Sequence, residues 1–216
     1  VEPNFAAYGT QSMPSPILLS APEATVMKVV EVYNGSGGDL TYSRGTLLAR
    51  LANGKYAAVA TTAVTAEVLF AGAGAEVAIG KTLANLPIPE TVVVTATVGA
   101  AAKTGSADVR GKITGDLTGT VDPETGRIQL DPFTPDNATN VTVAYTGITK
   151  PEMVLGEELT VVDTESEFAQ AYEAGKLAED EIYIGATAWA SLAAAVKLHV
   201  RRVLRDLGIH LGTVTE

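Results

Sequence analysis

The 216-residue chain carries a net charge of −10, is 46% hydrophobic and contains no cysteine. The acidic balance excludes the basic surface that a nucleic-acid binder displays, and the missing cysteines exclude disulfides, thiolate metal sites and cysteine nucleophiles. Such a length gives one large domain or two small ones with a buried core. Its bulk comes from Ala, Val, Leu and Thr, of which Val and Thr favour strands. With 21 glycines and 10 prolines to make turns, the expected fold class is mainly β, a β-rich α+β protein with one C-terminal helix.

Residues 1–26 read as an extended arm. Pro3, Pro14, Pro16 and Pro22 break any helix and bias their preceding residues to extended geometry. No signal-peptide pattern opens the segment. The arm is nevertheless apolar: Phe5, Tyr8, Met13, Ile17, Leu18 and Leu19 are more than a solvated tail carries. Two readings stand side by side, a terminus folded back on its own domain and an arm laid on a partner, adding a strand to its sheet. Residues 27–33 predict a strand, and 34–39 a glycine-rich turn. Residues 42–56 predict a hairpin, entered by a bend at Arg44-Gly45 and turning at Asn53-Gly54, where both residues of a two-residue turn need positive φ. Its second strand is expected to run on through 57–65.

The texture changes over 66–147. Residues 66–70 predict a strand, and the alternating Thr and Val of 91–98 predict another. Residues 119–121 and 127–130 flank Asp122-Pro123-Glu124-Thr125-Gly126, a hairpin tip with Pro to set φ and Gly to take a left-handed residue. Another alternating strand follows at 140–145. Strands at regular spacing with turn signals between them suggest a small β-sandwich or barrel.

In the last part, 153–155 and 159–162 predict strands, 166–175 a short helix or helical turn, and 181–185 a strand. Thr187 is expected to cap a helix running to Leu207, because Trp189, Leu192, Val196, Val200, Val203 and Leu207 recur at spacings of three and four. Gly208 is a natural residue to end it, after which 209–211 packs back. The one basic cluster, Lys197, Arg201, Arg202 and Arg205, falls near that helix end, where positive charge offsets the helix dipole. The apolar run 182–196 is shorter than a membrane span, so a packed helix is expected and no membrane partner.

Chemistry-bearing motifs are broken or missing. Gly80-Lys81-Thr82 resembles the end of a phosphate loop, but Ala75 stands where the first glycine belongs. Val77 stands where a dinucleotide fingerprint needs its third glycine. His199 and His210 have no metal-ligand spacing, and the acidic runs 163–167 and 179–181 match no calcium loop and read as solvated surface. No serine sits in a nucleophile elbow. No catalytic residue, metal or cofactor is therefore assigned, and the chain is read as a non-enzyme.

Two regions carry a resemblance. The first is Ser43-Arg44-Gly45-Thr46-Leu47-Leu48-Ala49, continued by Asn53-Gly54-Lys55-Tyr56. The second is Met153-Val154-Leu155-Gly156-Glu157-Glu158, then Ile182-Tyr183-Ile184-Gly185, then Leu204-Arg205-Asp206-Leu207-Gly208-Ile209-His210-Leu211. Their order resembles the bacteriophage head decoration proteins, the family of the lambda capsid-stabilising protein. The middle region is similar to small β-modules added to phage structural proteins. The resemblance implies a decoration-type β core from 27–65 and 148–216, interrupted by an inserted β domain at 66–147 that points away from the shell. It implies a structural virion protein that cements the outer surface of an icosahedral capsid, as a homotrimer on the major capsid protein. The arm residues Phe5, Tyr8, Met13, Pro14, Pro16, Ile17, Leu18 and Leu19 would then contact the capsid, with Arg44, Gly45, Asn53 and Gly54 shaping the hairpin. A phage tail or fibre component and a carbohydrate-binding β-module are the alternatives, and a small hydrolase ranks last.

Overall fold

The structure, a computed structural model, describes residues 26–212. The arm expectations at Phe5 through Leu19 lie outside the described residues. The described chain is mainly β, as its composition predicts, with one α-helix. It begins with β1 (Val26–Tyr33), β2 (Leu40–Tyr42), β3 (Leu47–Arg50) and β4 (Tyr56–Ala58). Next come β5 (Thr61–Ala71), β6 (Val77–Thr82), β7 (Leu86–Pro87), β8 (Val93–Val98), β9 (Ala101–Ala107), β10 (Lys112–Gly115), β11 (Gly119–Val121), β12 (Arg127–Phe133) and β13 (Asn140–Ile148). The last part holds β14 (Pro151–Leu155), β15 (Leu159–Val161), β16 (Ser166–Ala178), β17 (Tyr183–Ile184), β18 (Thr187–Ala188), α1 (Ala194–Asp206) and β19 (Ile209–Gly212).

The two ends of the chain build one sheet, in the order β1-β4-β3-β14-β16-β19. Because β1 also pairs β16 along its whole length, five of these strands close into a ring. The weakest seam is β1 to β4, a single parallel register pair of Val32 with Tyr56. β19 runs parallel to the last residues of β16. On one face of this sheet, Leu47, Val154, Leu177, Ile182, Val200, Leu204 and Ile209 are buried together, so α1 lies against the barrel. Val30, Val32, Leu48, Leu155, Ala169 and Ala171 make a neighbouring cluster. Each of these larger side chains contributes about 1.5–3 kcal/mol by leaving water.

The segment between Ala58 and Pro151 makes a separate sheet, ordered β5-β13-β8-β9-β10-β11-β12-β6, with β7 on β13. Its alternation places Val92, Val94, Ile113, Val121, Ile128, Val141 and Val143 in a core of its own. The two end strands, β5 and β6, meet through Lys81. Its Nζ donates to the Val68 carbonyl at 2.5 Å and sits 3.5 Å from Glu67, so the sheet curls back on itself.

Several expectations are corrected. The strand expected through 57–65 breaks at Val59-Ala60, and Thr61 onward joins the second sheet, so the crossing lies earlier than residue 66. The hairpin does not turn on two residues. Leu51 N–H donates to the Lys55 carbonyl and Gly54 N–H to the Leu51 carbonyl, giving a three-residue loop. Gly54, at φ 86°, is left-handed and Asn53 is not; this is the type I turn with a glycine bulge. The helix or helical turn expected at 166–175 is part of the strand β16. The Ala and Glu of 167–174 favour a helix in isolation, but pairing on both sides, to β1 and β14, outweighs propensity. The strand expected at 181–185 is reduced to Tyr183–Ile184. Thr187 does not cap α1: it belongs to β18, and the helix starts after Ala193 without a side-chain cap. Trp189 precedes the helix, in a 3-10 turn, and is buried.

Candidate functional site

The hairpin is held from three directions. Gly45, at φ 88°, makes the bend into β3; a left-handed residue there strongly favours glycine. Its N–H donates to the Leu155 carbonyl at 2.8 Å, and its own carbonyl accepts the Tyr183 N–H at 3.1 Å. The Thr46 hydroxyl and N–H both donate to the Ser43 carbonyl, which closes the bend. Arg44 lies 3.6 Å from Glu181. Thus Arg44 and Gly45 are joined to the C-terminal segments, whereas Asn53 and Gly54 form the exposed tip. At that tip the Asn53 Oδ1 accepts the Lys55 N–H at 3.1 Å.

Lys55 ties the tip to the β1–β16 ribbon. Its Nζ is 2.7 Å from Glu31 Oε1, donates to Ser166 Oγ at 2.8 Å and sits 5.7 Å from the Tyr33 ring centroid. The hydrogen bond from Lys55 holds the Glu31 carboxyl below the usual carboxylate range. On the same outward face lie Val29 and Phe168, each 69% exposed. In register Phe168 opposes Glu31 and Val29 opposes Gln170, so the two apolar side chains are diagonal neighbours. Two open grooves flank this region. One, of about 780 Å³, runs between β1 and the hairpin and presents Lys28, Glu31, Arg50, Lys150, Glu152 and Glu173. The other, of about 420 Å³, is mostly apolar and is lined by Tyr33, Leu40, Tyr42, Ala57 and Gly185. Val26, where the described chain begins, opens the strand that forms one bank of the first groove. This arrangement offers a binding surface: an apolar pair, a ladder of opposite charges and open strand edges.

Other residues singled out from the sequence are absorbed in the fold. Lys81 of the broken phosphate loop sits on β6, bound to the Val68 carbonyl. Arg201 binds Glu179 and lies 5.3 Å over the Trp189 ring, and Lys197 Nζ donates to the Ala190 carbonyl. Of the basic cluster, Arg205 alone falls in the helix's last turn. The acidic runs also have partners: Asp163 Oδ1 accepts the Gly37 N–H, Glu179 pairs Arg201, and Glu181 faces Arg44. Among the described residues no cluster of three or more His, Asp or Glu could hold a metal. No described helix is long and apolar enough to cross a membrane.

Sequence reasoning missed the Val29–Phe168 pair, because Phe168 fell in the segment read as helical. It also missed the burial of His199, although position 199 falls three residues from Val196 and four from Val203, at the helical spacing of the apolar face. No family model, curated protein or solved structure matches the chain.

Proposed function

We propose that the chain is a structural virion protein that binds and stabilises the outer surface of an icosahedral phage head, docking as a homotrimer on the major capsid protein. One observation supports this reading above the others. The hairpin and the 153–155 part of the second region, both of which carry the decoration-protein resemblance, are adjacent strands of a single barrel, although the whole second sheet separates them in sequence. Met153 pairs Leu48 and Val154 pairs Leu47, and Leu155 exchanges backbone hydrogen bonds with Gly45 and Thr46. A split motif that rejoins in space is what an insertion into such a core produces. The proposed contact surface is the Val29–Phe168 face and the groove beside it, together with the arm residues Phe5 through Leu19. Binding the assembled shell and not its free subunits would stabilise the shell by mass action.

Co-sedimentation of the purified protein with expanded phage heads tests the reading. Retention on heads is expected, and it should fall when residues 1–25 are removed or when Val29 and Phe168 are both changed to Ser. Failure of the intact protein to associate, or equal association without the arm and the apolar pair, overturns it. Electron microscopy of labelled virions separates the head from a tail or fibre position.

A further inference from the structure

We infer that the contact between α1 and the second sheet is an acid-sensitive joint: protonation of His199 releases the 88–90 turn and the Val109 loop from the helix while both β cores stay folded. His199 is 2% exposed, and neither ring nitrogen has a hydrogen-bond partner. A neutral imidazole tolerates this at a cost, but an imidazolium carries a charge and two donors that must be satisfied. The ring lies where the helix meets the inserted segment. Ile88, Pro89, Glu90 and Val109 from the second sheet, with Ala195, Leu198 and Arg202 from the helix, line a residual space of about 10 Å³ beside it. That space has room for one water at most.

The charged neighbours on each packed element decide the direction. On the helix, the positive Arg202 opposes a second positive charge. On the 88–90 turn, Glu90 is exposed and makes no hydrogen bond to the ring. On the loop carrying Val109, the Asp108 carboxylate is occupied by the N–H groups of Arg110 and Lys112, at 2.8 and 2.9 Å. Burial, and then Arg202, hold His199 down to about 4, against an ordinary value of 6.5. At the tip of the β11–β12 hairpin, Glu124 faces Asp206 and Arg202, and burial and Asp206 raise its carboxyl. Protonating Glu124 tightens that tip contact, so it acts opposite to His199. The Glu124→Gln variant removes this opposing effect and leaves that of His199 alone.

A group whose value is depressed by burial loses its stabilising contribution as the pH falls from the open-state value towards the buried one. With 6.5 and about 4 as the two values, the opening equilibrium rises about 20-fold between roughly pH 7 and pH 5. The joint is the boundary of two separately cored sheets, so it can open without exposing either core.

Hydrogen exchange of the full chain, corrected for intrinsic rates, tests this. Expected is an exchange increase on the order of 20-fold at Glu90, 109–111 and 195–202 between about pH 7 and 5, with unchanged protection in β8, β13, β3 and β14. His199→Leu should abolish the increase and Glu124→Gln should keep it. NMR titration of the wild-type His199 ring gives a second reading that does not depend on a variant folding: in the closed protein His199 should stay neutral through the window in which an ordinary imidazole gains its proton. Equal acid response in His199→Leu, loss of protection everywhere at once, or ordinary titration of His199 in the closed protein would each overturn the proposal.

Discussion

The Gly45 amide donates to the Leu155 carbonyl at 2.8 Å, and the next amide pair, Leu155 N–H to the Thr46 carbonyl at 2.9 Å, repeats the tie. These bonds lock the entry of the hairpin to the strand that follows the entire second sheet. Substitution of Gly45 by Val places a β-branched residue at φ 88°, a conformation that costs a non-glycine residue about 1–3 kcal/mol. Denaturant unfolding should show the barrel transition weakened by about that much. Gly54→Val, also at positive φ but with only the Arg50 side chain at 4.0 Å, should show a loss of the same origin without steric clash. Equal stability of Gly45→Val and wild type would remove the hairpin entry as an organising point.

The second sheet should fold alone when cut at its own boundary. Its core cluster draws no buried residue from the barrel. A fragment of 61–148 keeps the pairings of Thr61 with Ile148, Thr62 with Gly147 and Val64 with Tyr145, whereas 66–147 loses them. Both fragments can be followed by far-UV circular dichroism during melting. The longer should unfold cooperatively and at the higher temperature; an unfolded 61–148 fragment would show that the sheet depends on α1.

Tyr145 supplies a prediction at alkaline pH. Its hydroxyl donates to Glu67 Oε2 at 2.7 Å, and burial followed by that carboxylate pushes it up to about 12. A raised native value means the contribution is fully present below the unfolded-state value of about 10 and is lost as the pH rises towards 12. Tyr145→Phe should therefore flatten the alkaline stability profile over that window. At neutral pH it should cost about 1–2 kcal/mol, through the lost hydrogen bond to a charged acceptor.

The β8–β9 hairpin turns on Gly99 and Ala100, both at positive φ, 59° and 61°. The Asp136 carboxylate accepts both of their N–H groups at 2.7 Å. Ala100→Gly should raise stability by up to about 1 kcal/mol, since the left-handed strain disappears. Asp136→Ala should lower it by about 1–3 kcal/mol, because two N–H groups lose a charged acceptor. Thermal melts of the two variants should shift in opposite directions.

What could be read from sequence was local. The alternation of Val, Thr and Ile set the strands at 127–130 and 140–145 and, of the 91–98 expected, at 93–98, wherever one face met a core, because a period of two leaves little choice of side. Gly208 at φ 80° and Gly126 at φ 69° stand where turn chemistry placed them. The hairpin loop was legible as a turn but not as its type: Asn53-Gly54 is compatible with two loop lengths, and the Leu51–Lys55 pairing selects the longer.

The candidate surface was less legible. Phe168 looks like part of a helical Ala-Glu segment, and only the β1 register turns its side chain outward beside Glu31. His199 carries no sequence sign of its unpartnered ring, because the residues that enclose it, Ile88, Pro89 and Val109, arrive from another sheet. The amino-acid sequence by itself determined a β-rich chain with glycine-built turns and one C-terminal helix, since backbone sterics and side-chain period act over a few residues. Tertiary structure alone decided that β16 is a strand, that five strands close into a ring, and that the helix packs on the barrel and meets the inserted segment at 88–90 and Val109. Those outcomes rest on hydrogen bonds and burial between segments far apart in the chain, and short-range propensity is too weak to oppose them.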